Sequence, residues 1–302
     1  MPRRFEFILY ALLIGSGLIL SGILNRSRRA PSIPPLEQQT APLPPRANQL
    51  QPGFHMTVPE TPERSRHRVV SLGTAFAIND SGDWATARHV SRHCAALVVL
   101  DADGEHGYPV RMVVNHPRTD LSVLVTGGSF DRLAIAARDP GRRETAFFIG
   151  FPQGNPASVE ASYLGSGRVD VTDGPELGGD GERIQGDFWV EDRRAPRFQG
   201  SLGGLSGGPV LDASGSVIGV AVAEEPRRGR VVSIAPRSLT ELLDGAGSIG
   251  WVASNDSTKL AKAIVTDANF GRYGDDLRAK SSIAEVYCYG YRSGIQPRRP
   301  RL

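Results

Sequence analysis

The 302-residue chain has only two cysteines, Cys94 and Cys288. That excludes a disulfide-stapled scaffold and a four-thiolate zinc site. No charge sign dominates either: 35 basic against 32 acidic residues leave a net +3, too little for charge alone to imply a nucleic-acid partner. No internal repeat is evident, and no lysine follows the glycines near Ser206 as a phosphate-binding loop requires. Long stretches of helical periodicity are scarce. Turn chemistry, by contrast, is plentiful: 35 glycines and 22 prolines point to turn-rich β structure and exclude a helical bundle. With 40% hydrophobic and 22% charged residues, a packed core is within reach and wholesale disorder is ruled out. The length predicts about two domains, or two lobes plus tails.

From Phe7 to Leu24 the sequence carries no charge. At ~1.5 Å per residue, a helix of that length just spans a thin hydrocarbon core. Arg3 and Arg4 flank it on one side and Arg26, Arg28 and Arg29 on the other, so the positive-inside rule assigns no orientation. The apolar run continues through Leu18–Leu24 without a small-residue cleavage pattern. This favours an uncleaved anchor over residues 1–29, with a cleaved signal peptide as the alternative. Residues 30–66 hold a proline-rich linker; nine of the 22 prolines fall between Pro31 and Pro62. Proline fixes φ and removes a donor, so this stretch reads as an extended spacer.

From His67 onward, short apolar runs alternate with turn signals such as Asn79-Asp80-Ser81-Gly82. The runs Arg68–Ile78, Leu121–Val125, Ala146–Ile149, Val159–Val171 and Ser216–Val222 read as strands of antiparallel sandwiches or barrels. The segment 172–186 reads as a polar surface loop. Helical spacing is confined to Arg237–Leu243 and Ser257–Val265.

Three separated segments carry chemistry. In Gly204-Leu205-Ser206-Gly207-Gly208-Pro209, glycines clear side chains from around a serine hydroxyl, and neighbouring backbone N–H groups are placed to meet a developing oxyanion. In Thr86-Ala87-Arg88-His89-Val90, a histidine follows a strand-like run; imidazole suits proton transfer near neutral pH. In Asp120–Leu124, a carboxylate opens an apolar strand, where it can orient an imidazole. Each alone has an ordinary structural reading: a glycine turn, a structural histidine, a turn aspartate. Their order and shared placement at strand edges argue for the three together. Asp101, Asp103 and Asp131 compete for the acid's place, but the first two suit a turn and no apolar strand follows the third.

With these segments in view, the chain resembles the trypsin-like serine proteases, nearest the bacterial HtrA-like and short trypsin-like peptidases. The resemblance runs from about His67 to Leu243. It rests on Gly73–Ile78 with Thr86–Val90, on Asp120–Leu124, on Gly150-Phe151-Pro152-Gln153-Gly154 and on Gly204–Pro209, with Ser233-Ile234-Ala235-Pro236 resembling a pocket-lining strand. It implies an all-β fold of two perpendicular six-stranded antiparallel barrels over residues 67–244, preceded by the transmembrane helix and followed by a short C-terminal extension, 245–302. It also implies peptide-bond hydrolysis through an acyl-enzyme, with Ser206 as nucleophile, His89 as base and Asp120 as its orienting partner. The N–H groups of Gly204 and Ser206 would form the oxyanion hole, and Gly200, Ser233, Ile234 and Ala235 would meet the substrate.

Leu205 departs from the family pattern. An acid before the nucleophile would pair with a newly cut N-terminus; leucine cannot, so no such activation is expected. With Gly200, Ile234 and Ala235 at the pocket positions, a small or medium apolar side chain is expected before the scissile bond. His89 and His93 have the spacing of two metal ligands, but Val90 stands where a zincin needs its glutamate and no third ligand is assigned. No metal or organic cofactor is therefore expected. Cys94 and Cys288 either pair in an oxidising compartment, tying the tail to the first barrel, or remain separate thiols. The arginines of 296–302 read as a solvated basic tail. The expected partners are a polypeptide substrate and, through the N-terminal segment, a membrane; nucleic acid is not among them. The expected setting is a bacterial cell envelope, with the protease domain anchored to the inner membrane and facing the periplasm, or secreted if the segment is cleaved. A catalytically weak, peptide-binding sensor or adaptor of the same fold is the alternative.

Overall fold

The computed structural model describes residues 50–63, 66–136, 138–171, 182–248, 250 and 264–291. The anchor over 1–29, most of the linker, residues 172–181 of the expected loop, most of the helix expected at 257–265 and the basic tail lie outside them; residues 182–186, expected as loop, instead open a strand paired with the one before it. Among the described residues no helix is long and apolar enough to cross a membrane.

Strands β1 (His55–Thr57), β2 (His67–Ala77), β3 (Asp83–Ala87), β4 (Ala96–Leu100), β5 (Gly107–Pro109), β6 (Met112–Asn115) and β7 (Leu121–Val125) precede a second set. That set is β8 (Thr145–Gly150), β9 (Ala157–Val171), β10 (Glu182–Ala195), β11 (Pro209–Leu211), β12 (Val217–Glu225) and β13 (Arg230–Ile234). A one-turn helix α1 (Arg88–Ser91) follows β3, and α2 (Pro236–Gly245), α3 (Phe270–Ala279) and β14 (Ile283–Tyr291) complete the chain order.

The second set closes into one six-stranded antiparallel barrel, ordered β10-β13-β12-β11-β8-β9. The first set does not. It is an eight-stranded sheet ordered β1-β6-β7-β3-β2-β14-β4-β5 and is not a closed barrel, which corrects the expectation of two six-stranded barrels. The cause lies in residues outside the expected protease span. Strand β14, from the stretch read as a C-terminal extension, is inserted between β2 and β4, with Val286 opposite both Gly73 and Val99. At the far edge β1, from the stretch read as linker, pairs with β6 through His55 and Asn115. Without these two strands the sheet would hold the six expected.

Local chemistry accounts for the elements that frame the site. The Asn79–Gly82 turn is closed by Asn79 Oδ1, which accepts the N–H groups of Ser81 (3.1 Å) and Asp83 (3.0 Å). Buried Trp84 stands edge-on to Phe130 at 4.6 Å and donates its indole N–H to Thr126 Oγ1 at 3.1 Å. In α2 the buried Leu239, Leu242 and Leu243 follow the 3–4 spacing of one helical face, and Pro236 opens the helix, where its missing N–H costs nothing. In α3, Gly274 has no space for a Cβ against Ser158 Oγ and Ile149, which brings the helix close against the barrel. Cys94 and Cys288 form a disulfide across 194 residues of sequence, fastening β14 to the segment after α1.

Candidate active site

Strand β3 ends at Ala87, and α1 turns His89 toward the start of β7. There Asp120 holds His89 twice and its neighbour Arg88 once. Its carbonyl accepts the Arg88 N–H at 3.1 Å, its Oδ1 accepts the His89 N–H at 2.9 Å, and its Oδ2 lies 2.6 Å from His89 Nδ1. Asp120 is buried, whereas about a quarter of the His89 side chain is exposed. In the tautomer in which Nδ1 donates to this carboxylate, Nε2 carries the lone pair.

The loop bearing Asp120 is itself braced. Buried His116 accepts the N–H groups of Arg118 and Thr119 at Nδ1, both at 3.1 Å, and stands edge-on to Phe54. Burial pushes the His116 imidazole below its ordinary range, only partly countered by Glu241 on α2. Nδ1 keeps the lone pair on which the loop depends.

The turn at Ser206 is built by close approach. Gly204 and Gly207 have φ of 97° and 88°, a region that favours glycine. A Cβ on Gly207 would strike the Thr74 carbonyl and Thr86 Oγ1 and lie 3.0 Å from the Ala87 nitrogen, so the turn is seated two residues from His89. The Ser206 carbonyl accepts the Thr74 N–H at 2.8 Å, and the Gly204 carbonyl accepts the Thr74 hydroxyl at 2.7 Å. Among the described residues, the N–H groups of Gly204 and Ser206 donate to no protein acceptor. The Ser206 hydroxyl is aimed at the Val222 carbonyl, 3.4 Å away.

Leu205, the departure from the family pattern, is 2% exposed and packs in the barrel core with Leu202, Phe148 and Val210. Its N–H donates to the Leu202 carbonyl at 2.8 Å. The turn is thus anchored by an apolar side chain rather than by an ion pair.

The residues expected to meet the substrate are placed unevenly. Ser233 and Ile234 are fully buried, and Ser233 Oγ takes the Trp189 indole N–H at 2.9 Å. Ala235 is half-buried. Gly200 is exposed with φ of 112°, and its carbonyl accepts from Arg194 at 2.8 Å. Sequence reasoning missed two residues here. Thr74 looks like an ordinary strand threonine, yet it joins the serine turn to the Phe151 N–H, which its Oγ1 accepts at 3.1 Å. Glu224 lies two residues beyond Val222; its carboxylate takes the Ser201 hydroxyl and, at 2.8 Å, the Leu202 N–H. No local pattern marks either residue. Among the described residues no group of histidine, cysteine, aspartate and glutamate is arranged to hold a metal ion.

A closed antiparallel barrel facing a second antiparallel sheet, with the serine turn held by hydrogen bonds from both, is a serine-hydrolase arrangement. Residues 73–220 match the family model of the trypsin-like peptidase domain, and the chain carries a trypsin-like, chymotrypsin-fold serine-protease domain. Among curated proteins it is similar to a probable periplasmic serine endoprotease DegP-like of Chlamydia trachomatis, 27% identical over 247 residues, covering 74% of this chain and 44% of that one. A protein of the same description from Rhizobium meliloti is 28% identical over 199 residues, covering 62% and 36%. The chain spans less than half the length of these relatives. Among solved structures it is similar to the Rv3671c protease of M. tuberculosis in its active form, with TM-score 0.47, 19% identity, and coverage of 75% of this chain and 95% of that one.

Proposed function

We propose that the protein is a serine endopeptidase in which His89, Asp120 and Ser206 act together. The observation that carries this reading is the 2.6 Å contact between Asp120 and His89 Nδ1 beside a serine turn with two uncommitted N–H groups. On substrate entry the Ser206 hydroxyl leaves Val222 for His89 Nε2. The imidazole takes the proton as Oγ bonds to the scissile carbonyl carbon, and Asp120 stabilises the imidazolium. Negative charge gathers on the carbonyl oxygen, where the N–H groups of Gly204 and Ser206 receive it; in a measured case one such donor contributed about 2.7–4 kcal/mol. Protonation of the leaving amine by His89 breaks the C–N bond, and a water activated by the same imidazole hydrolyses the acyl-enzyme.

Both Glu224 oxygens are engaged by the 201–202 segment, so this carboxylate braces that segment rather than awaiting a substrate cation. That supports an apolar side chain before the scissile bond. The uncharged Phe7–Leu24 run supports a membrane-anchored or exported protein. Similarity to proteins described as periplasmic supports a bacterial envelope location, with the domain facing the periplasm.

The alternative, a catalytically weak peptide-binding relative, draws on the serine hydroxyl being aimed at Val222. Peptide turnover separates the two. An endopeptidase cleaves an unfolded polypeptide, and Ser206→Ala abolishes cleavage while retaining peptide binding. A binder shows the same negligible turnover with either side chain.

A further inference from the structure

A cavity of about 430 Å³ opens between β14, α3, the 101–104 turn and the 151–156 segment, outside the site described above. Glu285 of β14 lines it. This residue is 8% exposed, and its carboxyl makes no hydrogen bond or ion pair with any described residue. Burying a carboxyl without a donor costs several kcal/mol if it is charged, and burial alone pushes this one up to about 7. Such a group is out of place in a wall that merely packs.

The remaining charges indicate what would satisfy it. Asp101, Asp103 and Asp275 also line the cavity, against a single cation, Arg278. Arg278 is already engaged: its guanidinium donates to Asp275 Oδ1 at 2.6 Å and to the Ala157 carbonyl at 3.1 Å, leaving only Nε without a partner. Asp101 Oδ1 accepts the Ala102 N–H at 2.7 Å and the Ser281 hydroxyl at 2.8 Å. Asp103 accepts the Glu105 N–H at 2.8 Å and the His106 N–H at 2.9 Å, and it makes a close contact with His106 Nδ1, an ion pair when that imidazole is protonated. Even with Arg278 on Asp275 and His106 on Asp103, carboxylates outnumber cations here, and among the described residues the deepest carboxyl, Glu285, is the one without a donor.

We propose that this cavity binds a cationic group, an alkylammonium or guanidinium on a slender chain, with Glu285 as its buried counter-ion and the three aspartates drawing it in. The volume suits a side chain of lysine or arginine size. The site adjoins the serine turn: Phe151 and Gly154 form part of its wall, and a Cβ on Gly154 would lie 3.1 Å from Glu285 Oε1. Between these two, Gln153 donates its N–H to the Gly203 carbonyl at 2.5 Å.

The test is calorimetric titration of the full chain carrying Ser206→Ala, so that no turnover intervenes and the result is independent of the proposed protease activity. Agmatine and spermidine represent a free small cation, acetyl-arginine amide a peptide side chain, and acetate an anion. The proposal expects saturable binding of at least one cation, weakened at least tenfold by Glu285→Gln and several-fold by Asp103→Asn, and unchanged by Glu224→Gln. Agmatine or spermidine binding alone identifies a free polyamine-like ligand; acetyl-arginine amide binding alone identifies a peptide side chain. Absence of cation binding in the folded protein, binding of acetate instead, or cation binding indifferent to Glu285→Gln would overturn it. Thermal melting of each variant confirms that a loss is not unfolding.

Discussion

Thr74 and Gly204, 130 residues apart, are joined by a 2.7 Å hydrogen bond from the threonine hydroxyl to the glycine carbonyl. Because Thr74 Oγ1 also accepts the Phe151 N–H, one side chain ties the serine turn, the 151–154 turn and β2 together. Thr74→Val preserves shape but leaves a half-buried carbonyl and N–H without this partner, at a cost of about 1–3 kcal/mol. The expected outcome is a fall of at least tenfold in the rate of Ser206 modification by a fluorophosphonate, with the far-ultraviolet circular dichroism unchanged.

Leu205 holds the same turn from the core side. Leu205→Ala removes a buried side chain, for which about 2–5 kcal/mol of stability is usual, and it loosens the turn carrying the proposed oxyanion donors. Urea denaturation should show the midpoint falling, and peptide turnover should drop further than the unfolded fraction explains.

The Cys94–Cys288 bridge closes most of the folded chain into one loop. A cross-link of that span restricts the unfolded ensemble, and removing a native disulfide typically costs about 2–5 kcal/mol. The double variant Cys94→Ser/Cys288→Ser should melt several degrees lower. The hydrogen bonds of β14 to β2 and β4 remain in place, so the sheet persists, and hydrogen exchange should report faster opening along β14 than along β7.

Two buried groups set opposite pH limits on stability. Glu285 is raised from 4.5 to about 7 by burial. Its contribution is full below about 4.5 and is lost as pH rises through 7, on the order of 3 kcal/mol over the interval. His116 is lowered from 6.5, chiefly by burial; its contribution is present above 6.5 and is lost as pH falls. Chemical denaturation between pH 5 and 9 should therefore show an alkaline decline that Glu285→Gln flattens. An acid decline should remain in that variant, because His116 is untouched.

The parts legible in the sequence were those with a local signature. Glycines flank Ser206 because the turn needs positive φ and close approach, and His89 and Asp120 stand at strand ends that apolar runs announce. Helix α2 was legible from its leucine spacing. Strand β14 was not: Ile283–Tyr291 has strand-forming residues, but its place between β2 and β4 depends on partners about 200 residues away in sequence. Strand β1 is three exposed residues with no apolar alternation to mark it. Ser233 resembles a residue of a pocket-lining strand, but no local pattern announces the bond its hydroxyl accepts from Trp189. Glu285 is one charge among apolar neighbours in the sequence; only the fold encloses it.

The central claim is that Ser206 is a nucleophile activated by the His89–Asp120 pair. Reaction of the full chain with a fluorophosphonate, followed by mass spectrometry of the digested protein, tests it most directly. The account predicts a single adduct on the peptide containing Ser206, formed rapidly in the native protein and lost in His89→Ala. Absence of an adduct in the folded protein, or labelling of Ser206 at the same rate without His89, would contradict it.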